Sequence, residues 1–225
     1  MAASILDIIA DAINHNLRRR LDIDLYISCI HVIQRVLVYL THARTRLLYH
    51  WSLLWQTLLS LLRFLTTYAS DLIAQNANIN LLITPLVNTI TLAVSSGDAF
   101  LPSPASYDDL FYKLVETGDF LTRFKSAYNG QLQTPGSSSA TASIDVLIKV
   151  STHYHNLLEA EKGKGRMGKS MSPREVNKII RQGYETLTIP PVDGLDNLQK
   201  FREGEERGML KKVTRIAVED ARRLL

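Results

Sequence analysis

Two prolines one residue apart, Pro102 and Pro104, constrain this chain more than any other feature. Each strains a helix interior, and each biases the residue before it, Leu101 and Ser103, toward extended backbone. They stand in the stretch Gly97 to Glu116, GDAFLPSPASYDDLFYKLVE, between two apolar segments. Gly97 closes the first segment, and Ser106 followed by Asp109 reads as an N-cap and capping acid for the next helix. The stretch is therefore a helix–loop–helix corner that fixes the angle between two helices. Only 11 glycines and 7 prolines occur in 225 residues, which leaves room for long helices on either side. A chain of this length can bury a substantial core, as one domain or as a run of stacked helices.

In chain order, Ser4 and Asp7 start a first amphipathic helix with Ile5, Ile8, Ile9, Ala12 and Ile13 on one face. Asp22 or Asp24 starts a second, in which Leu25, Cys29, Ile33, Val36 and Leu40 recur every three or four residues. A third carries Trp51, Leu54, Trp55, Leu58, Leu59, Leu62 and Leu65 over most of its surface, as a helix does at the centre of an array or in lipid. The charge-free run from Leu47 covers only about 16 residues, and a span needs roughly 20. Leu72 to Gly97 is long enough. It holds Asn88, Thr89 and Thr91 among other polar side chains, which are costly in hydrocarbon and fit a central helix whose amides and hydroxyls meet its neighbours. Pro85 belongs to its first turns or kinks it.

After the corner, Tyr107 to Ala127 reads as a helix weakened at Gly118. Residues 129–143, NGQLQTPGSSSATAS, read as a linker. Ile144 to Lys162 is helical, a basic Gly-rich loop covers 162–171, and Ser172-Pro173-Arg174-Glu175 opens a short helix to Tyr184. A charged helical segment, Leu195 to Leu225, ends the chain.

The net charge of +4 is too small for a dedicated nucleic-acid binder. Cys29, the only cysteine, allows no internal disulfide, fits a reducing compartment and lies on an apolar stripe as a small core residue. The N-terminal segment has neither a basic flank nor a small-residue cleavage site, so it does not read as a secretion signal.

Gly163 to Ser170, GKGRMGKS, fits the pattern of a phosphate-cradling P-loop. That loop needs a buried strand before it and a helix at its Lys-Ser, whereas HNLLEAEK precedes it and Pro173 sets the next helix start too late. Nucleotide binding is a remote alternative. His153 and His155, two apart, face different sides of a helix and cannot share a metal. Asp108 and Asp109 fit a helix N-terminus better than paired acid–base chemistry. No catalytic residue, cofactor site or metal site is expected. The cations Lys162, Lys164, Arg166, Lys169, Arg174, Lys178 and Arg181 are candidates for contact with anionic lipid or an acidic partner.

The segments LDIDLYISCIHVIQRVLVYL, LLYHWSLLWQTLLSLLRFL, GDAFLPSPASYDDLFYKLV and VNKIIRQGYETLTIPPVDGLDNLQKF together resemble the C-terminal half of the armadillo-like helical domain-containing protein three family, in a fungal form. The resemblance implies an all-α, armadillo- or HEAT-like, right-handed stack of antiparallel helix pairs. On that reading residues 1–128 form the N-terminal part of the stack, 129–143 and 162–171 are flexible linkers, and 144–225 complete it. It further implies a cytosolic, non-enzymatic scaffold, peripheral at Golgi membranes, with phosphatidylinositol 4-kinase beta and a large Arf guanine-nucleotide exchange factor as partners. The alternative from the residues alone is an integral membrane protein with spans at 47–65 and 72–97.

Overall fold

The structure, a computed structural model, describes residues 2–17, 21–76, 78–133, 138–164, 173–190 and 192–195, with residues 211, 214, 215, 218 and 222. These carry the helices α1 (Ala2–Asn16), α2 (Ile23–His42), α3 (Trp51–Thr67), α4 (Ala69–Gln75) and α5 (Asn80–Phe100), then α6 (Pro104–Glu116), α7 (Gly118–Ala127), α8 (Asn129–Leu132), α9 (Ser138–Lys164) and α10 (Pro173–Gly183). No strand occurs among the described residues. Helices α1, α3 and α6–α7 pack successively in one file, while α2, α5 and α9 pack in a second. Contacts between α1 and α2, α3 and α5, and α6 and α9 join the files. The expected all-α, armadillo-like architecture is the one observed.

The corner forms for the anticipated reason, with its boundaries moved. Leu101 and Ser103 are extended, at φ −73°, ψ 140° and φ −149°, ψ 157°. The next helix begins at Pro104, three residues before the expected start. Ser103 caps it by accepting from the Ser106 amide at 3.3 Å. Proline is tolerated in a helix's first turn because its missing N–H would lack a partner there anyway. Gly97 likewise does not end α5, which continues to Phe100. A Cβ at Gly97 would lie 2.8 Å from the Tyr107 ring, so the glycine serves the close approach of that ring. The Tyr107 hydroxyl donates to the Val94 carbonyl at 2.5 Å, folding α6 back onto α5.

Other departures have local causes. On α1 the buried residues are Leu6, Ala10 and Ile13, and Ile8, expected on the apolar face, stands 69 % exposed. Leu25 is at the edge of the α2 stripe rather than in it, and Tyr26 takes the buried position, donating to the Ile13 carbonyl at 3.1 Å. Pro85 sits inside α5 beside exposed Leu81, so the residue whose carbonyl loses its helical partner lies on the solvent side. The segment 129–143 holds α8 and the first turns of α9, which begins six residues before its expected start. The small side chains there let α9 approach α5. Asn88 Nδ2 donates to Ser139 at 3.2 Å, Ser143 donates to Asn88 Oδ1 at 2.8 Å, and Thr91 donates to the Ser143 carbonyl at 3.2 Å. These are the neighbours that the polar residues of α5 were expected to meet. The helix expected over 107–127 breaks at Thr117–Gly118, where a Cβ on Gly118 would meet Ser151 Oγ at 2.6 Å. The expected helix over 195–225 lies almost wholly outside the described residues.

The core of the first file is aromatic. Trp51 stacks on Trp55 with ring centroids 5.3 Å apart, and it meets Phe100 of α5 at 5.1 Å. Its indole N–H donates to the Leu47 carbonyl at 2.9 Å, and the Leu47 amide donates to the Phe100 carbonyl at 3.1 Å. The N-terminus of α3 is thereby fixed to the C-terminus of α5. Trp55 is almost wholly buried. Trp55→Ala is expected to cost about 3–5 kcal/mol through lost contacts and a cavity. A urea denaturation midpoint equal to that of the parent chain would show that this face is not the seam.

Candidate functional site

Charged and aromatic residues far apart in sequence are brought together where α6, α9 and α10 meet. Asp108 on α6 is fully buried, three residues before Phe111 and six before Leu114, both of which face the core. A carboxylate on that face needs partners, because an unpaired buried charge is costly. Arg181 of α10 supplies one, its Nε donating to Asp108 Oδ2 at 2.8 Å. The Tyr184 hydroxyl supplies the other, donating to Oδ1 at 2.6 Å. Bonds to an ionised acceptor are short and strong, so this pair fixes α10 against α6. The role expected for Asp108, a helix N-terminus, is not the one it plays. A charge on the apolar helical face was the signal in the sequence. Its partner, 73 residues away, had none.

Aromatic rings pack around the clamp. Tyr107, Phe111, Tyr154 and Tyr184 contact one another with centroids 4.6–6.4 Å apart. Gly183 admits the Tyr154 ring, since a Cβ there would lie 2.5 Å from it. Burial and the bond to Asp108 push the Tyr184 hydroxyl well above its ordinary value. Burial also raises Tyr107, with Asp98 adding to the effect, and raises Tyr154, with the Tyr107 and Asp108 charges adding. Burial pushes Tyr128 up to about 12. Cys29 is buried and its thiol is raised by burial, which keeps it protonated and unreactive.

Of the candidate anion-contacting residues, Lys178 is exposed on α10. Arg181 is committed to Asp108, and the bond to that carboxylate is the main cause of its raised pKa. Lys162 and Lys164 lie on the last turn of α9 and Arg174 at the start of α10, with their side chains outside the described residues. Arg166 and Lys169 lie outside the described residues altogether. Helix α9 runs through Lys164, so the first two positions of the P-loop pattern are helical where a strand should have just ended. His153 turns to the Gly183 carbonyl at 3.4 Å and to Thr186 at 3.2 Å, while His155 is exposed.

A second feature lies on the outer side of the α1–α3–α6 file. Two adjoining recesses of about 380 and 160 Å³ share Gln56 and Ser60. At the end of the smaller one, Arg63 Nη2 donates to the Glu116 carbonyl at 3.2 Å and to Thr117 Oγ1 at 3.1 Å. Its guanidinium lies 5.5 Å from the centre of the Phe120 ring. A cation on the last carbonyls of α6 is favourably placed in the helix dipole. These features are structural locks and an open polar groove. They assemble no nucleophile, base and acid within reach of one another.

Comparison with known proteins agrees with this architecture. The family model described as armadillo-like helical domain-containing protein 3, C-terminal, matches residues 1–223. The chain belongs to that family. It is 29% identical to armadillo-like helical domain-containing protein 3 of Homo sapiens over 100% of this chain and 33% of that protein. It is 28% identical to the Danio rerio protein of the same name, over 96% of this chain and 32% of that one. A Schizosaccharomyces pombe protein named as a UPF0588 membrane protein is 22% identical over 93% of this chain and 32% of its own length. The chain thus spans about a third of the length of these relatives. No solved structure matches. The family is one of helical domain proteins and is not a known enzyme family.

Two outcomes are expected of the clamp. Tyr184→Phe should destabilise by about 1.5–3 kcal/mol, the range for a hydrogen bond to a charged group, as read by urea denaturation. The raised tyrosines also set a pH dependence. Their neutral forms are favoured in the fold, so their contribution is fully present below the unfolded value near 10 and is lost as pH climbs from there through the folded values. The Tyr154 hydroxyl is buried without a hydrogen-bond partner. Tyr154→Phe should therefore keep or raise the melting temperature and reduce the loss above pH 10. A lower melting temperature would mean that this hydroxyl is satisfied.

Proposed function

We propose that this chain is a non-enzymatic helical scaffold that docks protein partners at the cytoplasmic surface of Golgi membranes. By family resemblance the partners are phosphatidylinositol 4-kinase beta and a large Arf guanine-nucleotide exchange factor. The observation that carries the reading is the use made of the polar residues. Asp108, Arg181, Tyr184, Asn88, Thr91 and Arg63 are occupied in holding helices together, which is what a scaffold asks of them. Stacked helices present extended surfaces for partners, and such surfaces need no reactive constellation. The basic residues near α10, with Lys178 exposed, support contact with an acidic surface.

A second reading has two observations in its favour. Helices α2 and α5 are long and apolar enough to cross a membrane, and the name of the fission-yeast relative describes a membrane protein. Against it, two-thirds of the apolar window of α5 is buried inside the fold. The span expected over 47–65 corresponds to α3, with nine buried residues at the centre of its file. Carbonate extraction of membranes from cells expressing the tagged chain separates the readings. Release into the supernatant is expected, and retention in the pellet would establish spans. Recovery of the kinase or the exchange factor with the purified chain is the companion measurement, and recovery of neither would end the partner assignment.

A further inference from the structure

We propose that the loop between α2 and α3, residues 43–50, is a membrane-docking tip. Leu48 enters the interfacial zone of an anionic bilayer while Arg44 and Arg46 engage its phosphate headgroups. The inference rests on the peripheral-membrane part of the reading above and supplies the contact itself.

Charge comes first. No aspartate or glutamate occurs between Asp24 and Asp71, whereas Arg35, Arg44 and Arg46 all fall within that interval and are all exposed. Along α2, the exposed residues His31, Arg35 and Tyr39 follow one another at helical spacing and lead into the loop. Asp7 and Asp11 on α1 are exposed carboxylates close to this loop. They stand beside the buried Tyr49 hydroxyl, whose pKa is raised by burial first, with the two aspartates adding to the effect. Neither is paired with Arg44 or Arg46, which no ion pair ties to a carboxylate among the described residues.

Exposure comes second. Leu48 is 86 % exposed, the most of any large hydrophobic side chain among the described residues. The fold enforces that exposure. Leu47 is held on both sides of its peptide, its amide on the Phe100 carbonyl and its own carbonyl under the Trp51 indole. Tyr49 packs edge-on against Trp51 at 5.3 Å. Leu47 and Tyr49 thus face inward, and the residue between them must project. A fixed apolar knob flanked by cations is the combination that anionic interfaces attract, through buried apolar area and charge together.

The backbone adds a third observation. Arg44 has φ 47°, a left-handed conformation that ordinarily favours glycine at the end of a helix. The Thr45 amide donates to the Leu40 carbonyl at 3.0 Å, closing α2 in the manner of a glycine-terminated helix. Arginine therefore occupies a strained position where glycine would be more stable, which is understandable if its charge is needed there.

The test uses the purified chain and vesicles of phosphatidylcholine with or without about one-fifth phosphatidylserine. Flotation with the anionic vesicles only is expected, weakening as salt is raised. Arg44→Gly combined with Arg46→Gln should weaken binding about 30-fold, although Arg44→Gly alone should keep or raise the melting temperature. Leu48→Glu should abolish flotation without changing the fold, since the side chain touches little. In Leu48→Trp, added fluorescence should shift to the blue on anionic vesicles. No flotation of the parent chain would overturn the proposal. So would loop variants that float like the parent, or a loss confined to Lys162→Gln, Lys164→Gln, Arg166→Gln and Lys169→Gln together. Partner recovery with Leu48→Glu, measured in parallel, keeps the two readings distinguishable: it stands if only this inference fails, and vesicle binding stands if only the partner assignment fails.

Discussion

The seat of Tyr107 on Gly97 is the contact on which the arrangement of the later helices depends. Helix α5 packs against α2 on one side and α9 on the other, so whatever is fixed to α5 is fixed to the second file as a whole. Tyr107 makes that attachment twice, with its ring over the glycine and its hydroxyl on the Val94 carbonyl. The next residue, Asp108, then points at α10. The orientation of α6 thereby decides whether Arg181 and Tyr184 can reach a carboxylate that has left water. A buried ion pair of this kind adds little net stability over an apolar equivalent, because desolvation offsets the attraction. Its geometry is demanding, however, and α10 satisfies it in one register.

Polar side chains do similar work between α5 and α9. Asn88, Thr91, Ser139 and Ser143 form a short network in which each buried group finds a partner. In lipid or in an apolar core the same side chains would be a liability. Between two closely spaced helices they select a rotation and a height of one helix relative to the other. The small residues at the start of α9 permit the spacing, and the hydroxyls among them supply the bonds. The same residues that give the segment its loop-like composition make it a good packing surface.

That double use explains what could be read from the sequence. The corner, the start of α2 at one of two aspartates and the central place of α3 follow from proline geometry, a capping side chain and all-round apolarity, which are local signals; the structure selects Asp22 as the cap. The α9 start could not be read, because Ser and Thr favour turns in isolation and only the tertiary bonds to Asn88 and Leu132 make them helical. The N-cap was placed at Ser106 instead of Ser103 because either serine satisfies the local rule. Periodicity identified α1 but rotated its apolar face, taking in Ile8 and leaving out the buried Leu6 and Ala10. The clamp was half legible: Asp108 lay on an apolar face, yet nothing local could assign Arg181 to it. Arg181 was grouped with the other cations of its stretch, and the fold removes it from that group.

Removing it changes where positive charge is available. Among the described residues near α10, Lys178 remains exposed while Arg181 is spoken for. On the α2–α3 loop, Arg44 and Arg46 are exposed, and no ion pair ties either of them to a carboxylate among the described residues. A charge free to meet an external anion is one that the fold has not used. By that criterion the density of cations in a sequence stretch is a poor guide to a binding face. The lack of an ion-pair partner within the fold, combined with a backbone that holds an apolar side chain outward, is a better one. The glycine-like position occupied by Arg44 makes the same point energetically, since the helix end alone would be better served by a residue without a side chain.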